Sequence, residues 1–278
     1  MAYGNGRWVT VGTGSLMAYS TDGNTWTAAA TKGGITSEAK KVAYGKDGAG
    51  NPRWVTCGQY GSIIAHSPNG NTWNAAATVG SITYPQDVAY GTNGAGNRRW
   101  VIVGEGSIIA YSSDGNDWNT TATKGGLSVG YSVAYGQDGS GNPRWVAVGA
   151  GASTIAYSHN GDNWTAVPEA SNGGITGGYG VAYGQDGAGN RRWVAVGNGS
   201  KIAYSSNGNT WTAAATIGGV YRGRYVAYGK DGVGIGLWVV VGEDTTIATS
   251  PDGNNWTAAA TVGGITLGNG VAFKNEIV

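Results

Sequence analysis

The sequence is short of most features that would assign it to a functional class at once. Its single cysteine, Cys57, cannot form a disulfide within the chain, so no disulfide framework holds the fold. No apolar run approaches the ~18 residues that a membrane-crossing helix needs. Met1-Ala2-Tyr3-Gly4 opens directly on a repeat strand without a charged or apolar leader, so no signal peptide is expected in this chain. Charge is sparse and balanced, with 17 basic against 16 acidic side chains, and no like-charge run exceeds pairs such as Lys40-Lys41, Arg98-Arg99 and Arg191-Arg192. A nucleic-acid groove or an anionic membrane surface would need a basic stripe, so neither is expected as a partner. With two histidines and one cysteine there is no zinc set, and neither metal nor cofactor is expected.

What is abundant is glycine, 53 residues, and tryptophan, 12 residues. Glycine at this density, without long stretches of strong helix formers, predicts many short strands joined by tight turns. The stretch Ser20-Thr21-Asp22-Gly23-Asn24-Thr25-Trp26 returns at Ser67–Trp73, Ser112–Trp118, Ser158–Trp164, Ser205–Trp211 and Ser250–Trp256. A second marker recurs as often: Arg7-Trp8-Val9, Arg53-Trp54-Val55, Arg99-Trp100-Val101, Arg144-Trp145-Val146, Arg192-Trp193-Val194 and Leu237-Trp238-Val239. The period is about 46 residues, and the two series use every tryptophan in the chain.

Each repeat reads as four strands, A to D, seen in the second copy as Val42-Ala43-Tyr44, Arg53 to Cys57, Ser62 to His66 and Thr72 to Ala76. Glycine-rich hairpins join A to B, and Asp-Gly or Asn-Gly turns join C to D. Both faces of each sheet must be covered by neighbours, with the tryptophans as wedges between sheets. Six such units predict an all-β, six-bladed β-propeller of four antiparallel strands per blade, with an open solenoid as the alternative. The expected repeats are residues 1–41, 42–87, 88–132, 133–180, 181–225 and 226–270 of one domain. Residues 271–278 repeat the start of the chain, so N- and C-terminal strands are expected to share one blade and close the ring. Cys57 stands where the other copies carry valine and reads as a small buried hydrophobe.

The Ser-x-Asp-Gly-x-x-Trp turn resembles the Asp-box, or BNR repeat, of sialidases and other propellers, in a shortened form like that of bacterial and phage repeat proteins. The resemblance covers the whole chain and specifies fold far more than activity. It implies a structural role for Asp22, Asn69, Asp114, Asn160, Asn207 and Asp252, whose side chains can accept turn N–H groups, and for Trp26, Trp73, Trp118, Trp164, Trp211 and Trp256 as plugs of the sheet interface.

For function, a lectin-like, multivalent carbohydrate-binding module comes first, acting through D–A and B–C loops at the end opposite these turns. Its candidate contacts are Tyr60, Tyr84, Tyr131, Tyr179 and Tyr221 with Glu105, Arg222, Arg224 and Glu243. A protein-interaction or structural scaffold of a phage tail or bacterial surface protein is the alternative. Like residues in every loop would favour the lectin, and one distinctive patch would favour a protein partner. A sialidase-like glycoside hydrolase ranks last: that family's site requires three arginines on a carboxylate, and only Arg222 and Arg224 stand in a D–A loop, so no enzyme activity is expected. His66 and His159 fall in structural slots, and loops such as Asp47 to Asn51 lack the alternating acids of a calcium loop. A monomer with a carbohydrate or protein ligand, at an extracellular or virion surface, is the expected setting.

Overall fold

The computed structural model describes residues 1–14, 17–58, 64–105, 109–198, 202–243, 247–260, 268, 270 and 271. Each repeat makes one four-stranded antiparallel sheet, its strands paired in chain order. The first sheet is β1 (Ala2–Gly4), β2 (Arg7–Val11), β3 (Met17–Ser20) and β4 (Thr27–Ala28); the second is β5 (Ala39–Lys46), β6 (Pro52–Gly58), β7 (Ile64–Ser67) and β8 (Asn74–Ala75). The third is β9 (Thr83–Thr92), β10 (Arg98–Glu105), β11 (Ile109–Ser112) and β12 (Asn119–Thr120), and the fourth is β13 (Leu127–Gln137), β14 (Pro143–Gly151), β15 (Ile155–Ser158) and β16 (Thr165–Ala166). The fifth is β17 (Gly178–Gln185), β18 (Arg191–Gly197), β19 (Ile202–Ser205) and β20 (Thr212–Ala213), and the sixth is β21 (Gly223–Lys230), β22 (Gly236–Gly242), β23 (Ile247–Ser250) and β24 (Thr257–Ala258). The N-terminal candidate Ala2–Gly4 takes the A position of the first sheet. Of the competing stretch 271–278, all but Val271 lies outside the described residues.

The chain divides into two compact units: Met1–Lys124 with Ser128–Gly130 and Asn160–Asn163, and Gly125–Leu127 with Tyr131–His159 and Trp164–Val278. In the first unit, one cluster joins Val9 and Met17 to Trp54 and Trp73, and a second joins Val55, Cys57 and Ile64 to Trp100 and Trp118. In the second unit, Val146, Val148 and Ile155 pack on Trp193 and Trp211, and Val194, Val196 and Ile202 pack on Trp238 and Trp256. The core of each unit is therefore apolar surface held between consecutive sheets, and single sheets contribute only half of it. Cys57 is buried, and burial pushes its thiol up to about 12. Trp8 and Trp26 are only half-buried.

Two features lock consecutive sheets together. The A-strand tyrosine pairs with the B-strand tryptophan of its own sheet at ring distances such as 4.7 Å for Tyr90 and Trp100. That tyrosine also lies over the A-strand glycine of the preceding sheet: a Cβ on Gly45 would sit 2.3 Å from the Tyr90 ring, and one on Gly184 would sit 2.2 Å from Tyr228. The repeated Ala-Tyr-Gly triplet follows from this stacking. At the outer strand, the Thr31 hydroxyl accepts the Trp73 N–H at 2.7 Å and donates to the Trp73 carbonyl at 2.8 Å; Thr78 with Trp118 and Thr216 with Trp256 repeat the arrangement. This explains why the D strands are two residues long rather than the five expected. The tryptophan N–H bonds to the previous repeat and not to strand C. Between the fourth and fifth sheets a longer linker with a 3₁₀ turn, Glu169–Ser171, replaces the threonine, and the Ser171 carbonyl accepts the Trp211 N–H at 2.8 Å.

The C–D turns are bonded as their residue types require. Ser20 Oγ accepts the Gly23 N–H at 2.8 Å, and Asp22 Oδ1 accepts the N–H groups of Asn24 and Thr25 at 2.8 and 2.7 Å. Asn69 and Asn207 do the same as neutral acceptors. In Asp252, burial opposes ionisation, but bonds from the Asn255 and Asn254 N–H groups, the Asn255 amide and the Ser250 hydroxyl outweigh it and hold the carboxyl at about 2. Bonds from the Thr25 and Asn24 N–H groups lower Asp22, and in Asp114 those of Asp117 and Asn116 override burial.

A carboxyl lowered in the folded state stabilises fully above its unfolded value near ~3.9, and that contribution is lost as pH falls through the folded value. Replacing Asp22, Asp114 and Asp252 together by asparagine, which keeps a neutral acceptor but loses the charge, is therefore expected to lower Tm at neutral pH modestly and to flatten its decline below about pH 4. Thermal melts across pH check this; an unaltered acid decline would exclude the turns as its source.

Candidate functional site

The side chains that vary most between repeats are placed by a recurring irregularity of strand A. Pairing of A with B skips one residue at Lys40 in β5, at Gln86 and again at Tyr84 in β9, at Tyr179 in β17 and at Arg224 in β21. Tyr131 occupies the same repeat position in β13. A β-bulge leaves its extra residue outside the ladder and turns that side chain to a new direction. Tyr84, Tyr131 and Tyr179, expected in D–A loops, thus belong to A strands longer than the sequence indicates. The loops shorten because the D–A segment pairs with the B–C loop, as in the bonds from the Ala39 N–H to the Gly12 carbonyl and from the Glu243 N–H to the Arg222 carbonyl.

In the second unit five of the expected residues come together. The Tyr131 and Tyr179 rings are 5.4 Å apart, and the Arg224 guanidinium lies 5.3 Å from the centre of the Tyr179 ring. Arg224 Nε donates to Glu243 Oε1 at 3.0 Å and its Nη2 to the same oxygen, while Arg222 Nη1 donates to it at 3.2 Å. The Arg224 hydrogen bond, with the charges of both arginines, holds the Glu243 carboxyl below the usual range. Two guanidinium groups share one carboxylate, so the row keeps one net positive charge beside two aromatic rings. Tyr221, 58% exposed, stands next to it in sequence.

In the first unit the corresponding positions carry different chemistry. Lys40 pairs with Glu38 at 3.1 Å, and the Gln86 amide donates to Glu105 at 3.3 Å. Tyr84 is exposed with φ of 45°, a left-handed conformation unusual for tyrosine. Tyr60 lies outside the described residues, as does Asp244.

The arginine before the B-strand tryptophan in the first five repeats belongs to the scaffold geometry. Arg99, Arg144 and Arg192 lie over Tyr111, Tyr157 and Tyr204 at 4.2, 4.7 and 4.6 Å. Arg53, Arg144 and Arg192 also pair with Asp47, Asp138 and Asp186 at 3.2, 3.4 and 3.0 Å. Those aspartates accept N–H groups of their own hairpins, such as Ala49 and Asn51 on Asp47. His66 stands in the tyrosine place, its Nδ1 3.1 Å from Arg53; burial first, then the Arg53 charge, lowers its pKa, so the neutral ring can accept from the guanidinium. Among the described residues no three His, Cys, Asp or Glu side chains are grouped to hold a metal ion. No helix of the described residues is long and apolar enough to cross a membrane.

No protein-family model and no curated protein sequence matches the chain. Solved structures do. YCF48 bound to D1 peptide is 19% identical with a TM-score of 0.59 over 94% of this chain and 80% of that one. Virginiamycin B lyase from Staphylococcus aureus is 13% identical with a TM-score of 0.61 over 93% of this chain and 82% of that one. The GH74 enzyme of Niastella koreensis is 18% identical with a TM-score of 0.54; the match covers 92% of this chain but 36% of the enzyme. With six four-stranded antiparallel sheets, these likenesses establish the β-propeller fold. Proteins of such different kinds share it, so the fold assigns no activity.

Proposed function

We propose that the chain is a non-catalytic recognition module that docks an extended protein segment along the row Tyr131, Tyr179, Arg224, Arg222 and Glu243. The observation carrying this reading is that this position varies between repeats, as Lys40, Gln86, Tyr131, Tyr179 and Arg224, with tyrosine in only two of the five, while the scaffold around it is nearly constant. A module built to offer the same sugar pocket on every blade would repeat these residues. One distinctive patch suits one partner. The tyrosines supply rigid contact area at low entropy cost, and the shared carboxylate leaves a guanidinium charge for an acidic group on the ligand. The peptide bound to the structurally similar YCF48 supports a peptide as ligand class. In this reading the turns that resemble shortened Asp-boxes are scaffold. Arg222 and Arg224 both pair with Glu243, and among the described residues no third arginine is paired with that carboxylate.

An array of extended peptides, each with a glutamate between aromatic or proline residues, matched to copies carrying glutamine, tests the proposal. Binding is expected to favour the acidic member, and Arg224→Ala or Tyr179→Ala should each weaken it by roughly tenfold or more, as loss of a central interface anchor does. Equal binding by wild type and both variants would reject the row as the site.

A further inference from the structure

At the other end of the sheets, where the A–B hairpins lie beside the C–D turns, each unit contains a cleft built on one plan. In the first unit a cleft of about 690 Å³ is lined by Tyr44, Lys46, Tyr90, Asn97, Arg98 and Ser113, among others. In the second a cleft of about 360 Å³ is lined by Gln137, Tyr183, Gln185, Asn190, Arg191 and Ser206. The repeat alignment equates Tyr90 with Tyr183, Asn97 with Asn190, Arg98 with Arg191 and Ser113 with Ser206. Both volumes fall in the range of small-ligand sites, roughly 300–1,000 Å³.

Arg98 and Arg191 distinguish these two places from the rest of the repeat. The position before the scaffold arginine is Pro52 or Pro143 in the second and fourth copies and glycine in the first, and before Leu237 it is Gly236; only the third and fifth copies place a second arginine there. Arg98 Nη1 donates to the Gly48 carbonyl at 3.3 Å, and Arg191 Nε donates to Gln137 Oε1 at 2.8 Å. These acceptors are neutral and leave the guanidinium charge uncompensated. Among the described residues no Asp or Glu lines either cleft. The hairpin carboxylates adjoining the clefts, Asp47, Asp138 and Asp186, are engaged by Arg53, Arg144 and Arg192. Burial keeps the Tyr90 and Tyr183 phenols protonated, so they add no negative charge.

We infer that the clefts are two equivalent subsites for a saccharide bearing a carboxylate, with the carboxylate on Arg98 or Arg191, and the Tyr90 or Tyr183 phenol, Asn and Ser reaching its hydroxyls. A planar guanidinium suits bidentate capture of a carboxylate. The clefts lie at the opposite end of the sheets from the tyrosine row, so this inference stands or falls independently of the peptide reading.

Isothermal titration of the whole chain with a galacturonate trimer and with sialyllactose, against the methyl-esterified trimer and lactose, tests the inference. At least one acidic probe should bind at two sites per chain, and its neutral counterpart should bind roughly tenfold more weakly. Arg98→Gln or Arg191→Gln should leave one site, and the double variant none. Arg98→Pro carries the residue of the second and fourth copies, so it tests the same loss in a side chain the hairpin accommodates. Thermal melts of the same samples separate a lost site from a lost fold. No binding by either acidic probe, equal binding of the neutral sugars, or an unchanged site count in the folded double variant would overturn it.

Discussion

Truncating Trp100 to alanine is expected to lower the unfolding free energy by about 3–5 kcal/mol, the cost of emptying a large aromatic from a packed core. The indole is fully buried, its ring lies 4.7 Å from that of Tyr90, and its N–H donates to the Lys46 carbonyl of the preceding sheet at 3.2 Å. Val55, Cys57 and Ile64 of that sheet form the other wall, so the cavity would open between two sheets rather than inside one. Neither sheet can collapse into it without breaking its own ladder. The same truncation at half-buried Trp26 should cost less than half as much. Denaturant unfolding of the two variants makes the comparison; a loss below about 1 kcal/mol at Trp100 would contradict the wedge role.

Gly184→Ala is the second large effect, about 3 kcal/mol, at the upper end of what one added methyl costs in a packed interior. The cause is steric: the new Cβ would stand 2.2 Å from the Tyr228 ring, which in turn rests 4.9 Å from Trp238. The tyrosine cannot retreat without displacing that tryptophan. A cycle with Tyr228→Ala distinguishes this clash from a backbone effect. With the ring gone, the alanine at 184 should add almost no further cost, and strict additivity of the two changes would exclude the stacking account.

The repeat made the strand count and the order of the sheets readable in advance, because Trp and Gly recur at fixed offsets whose only shared explanation is one sheet per repeat. Cys57 was readable in the same way, from the valine in its place elsewhere. The Ala-Tyr-Gly triplet was visible as a pattern but not as a cause: the contact that demands glycine comes from the next repeat, about 45 residues on, and no local rule reports it. The two-residue D strands were overestimated for a related reason, since Thr31 and Thr78 take the tryptophan N–H groups that a longer D strand would have turned to strand C.

At the site, Tyr131, Tyr179, Arg222, Arg224 and Glu243 stood out as departures from the repeat, and they do converge. What the sequence did not display was the bulge that carries Tyr179 and Arg224, because a slipped register leaves no mark on composition. The arginine doublets Arg98-Arg99 and Arg191-Arg192 were visible as charge pairs. Their contrast with Pro52 and Pro143 was the available signal for the clefts, and it becomes meaningful only once the hairpins of consecutive sheets are seen side by side.

The most direct test of the account is a count of peptide sites. An acidic, aromatic peptide selected on the array should titrate the chain at one site, with binding weakened roughly tenfold or more by Arg224→Ala and untouched by Lys40→Ala at the equivalent bulge of the second sheet. Several equivalent sites, or one of unchanged affinity in Arg224→Ala, would contradict the claim that recognition lies in the single row Tyr131, Tyr179, Arg224, Arg222 and Glu243.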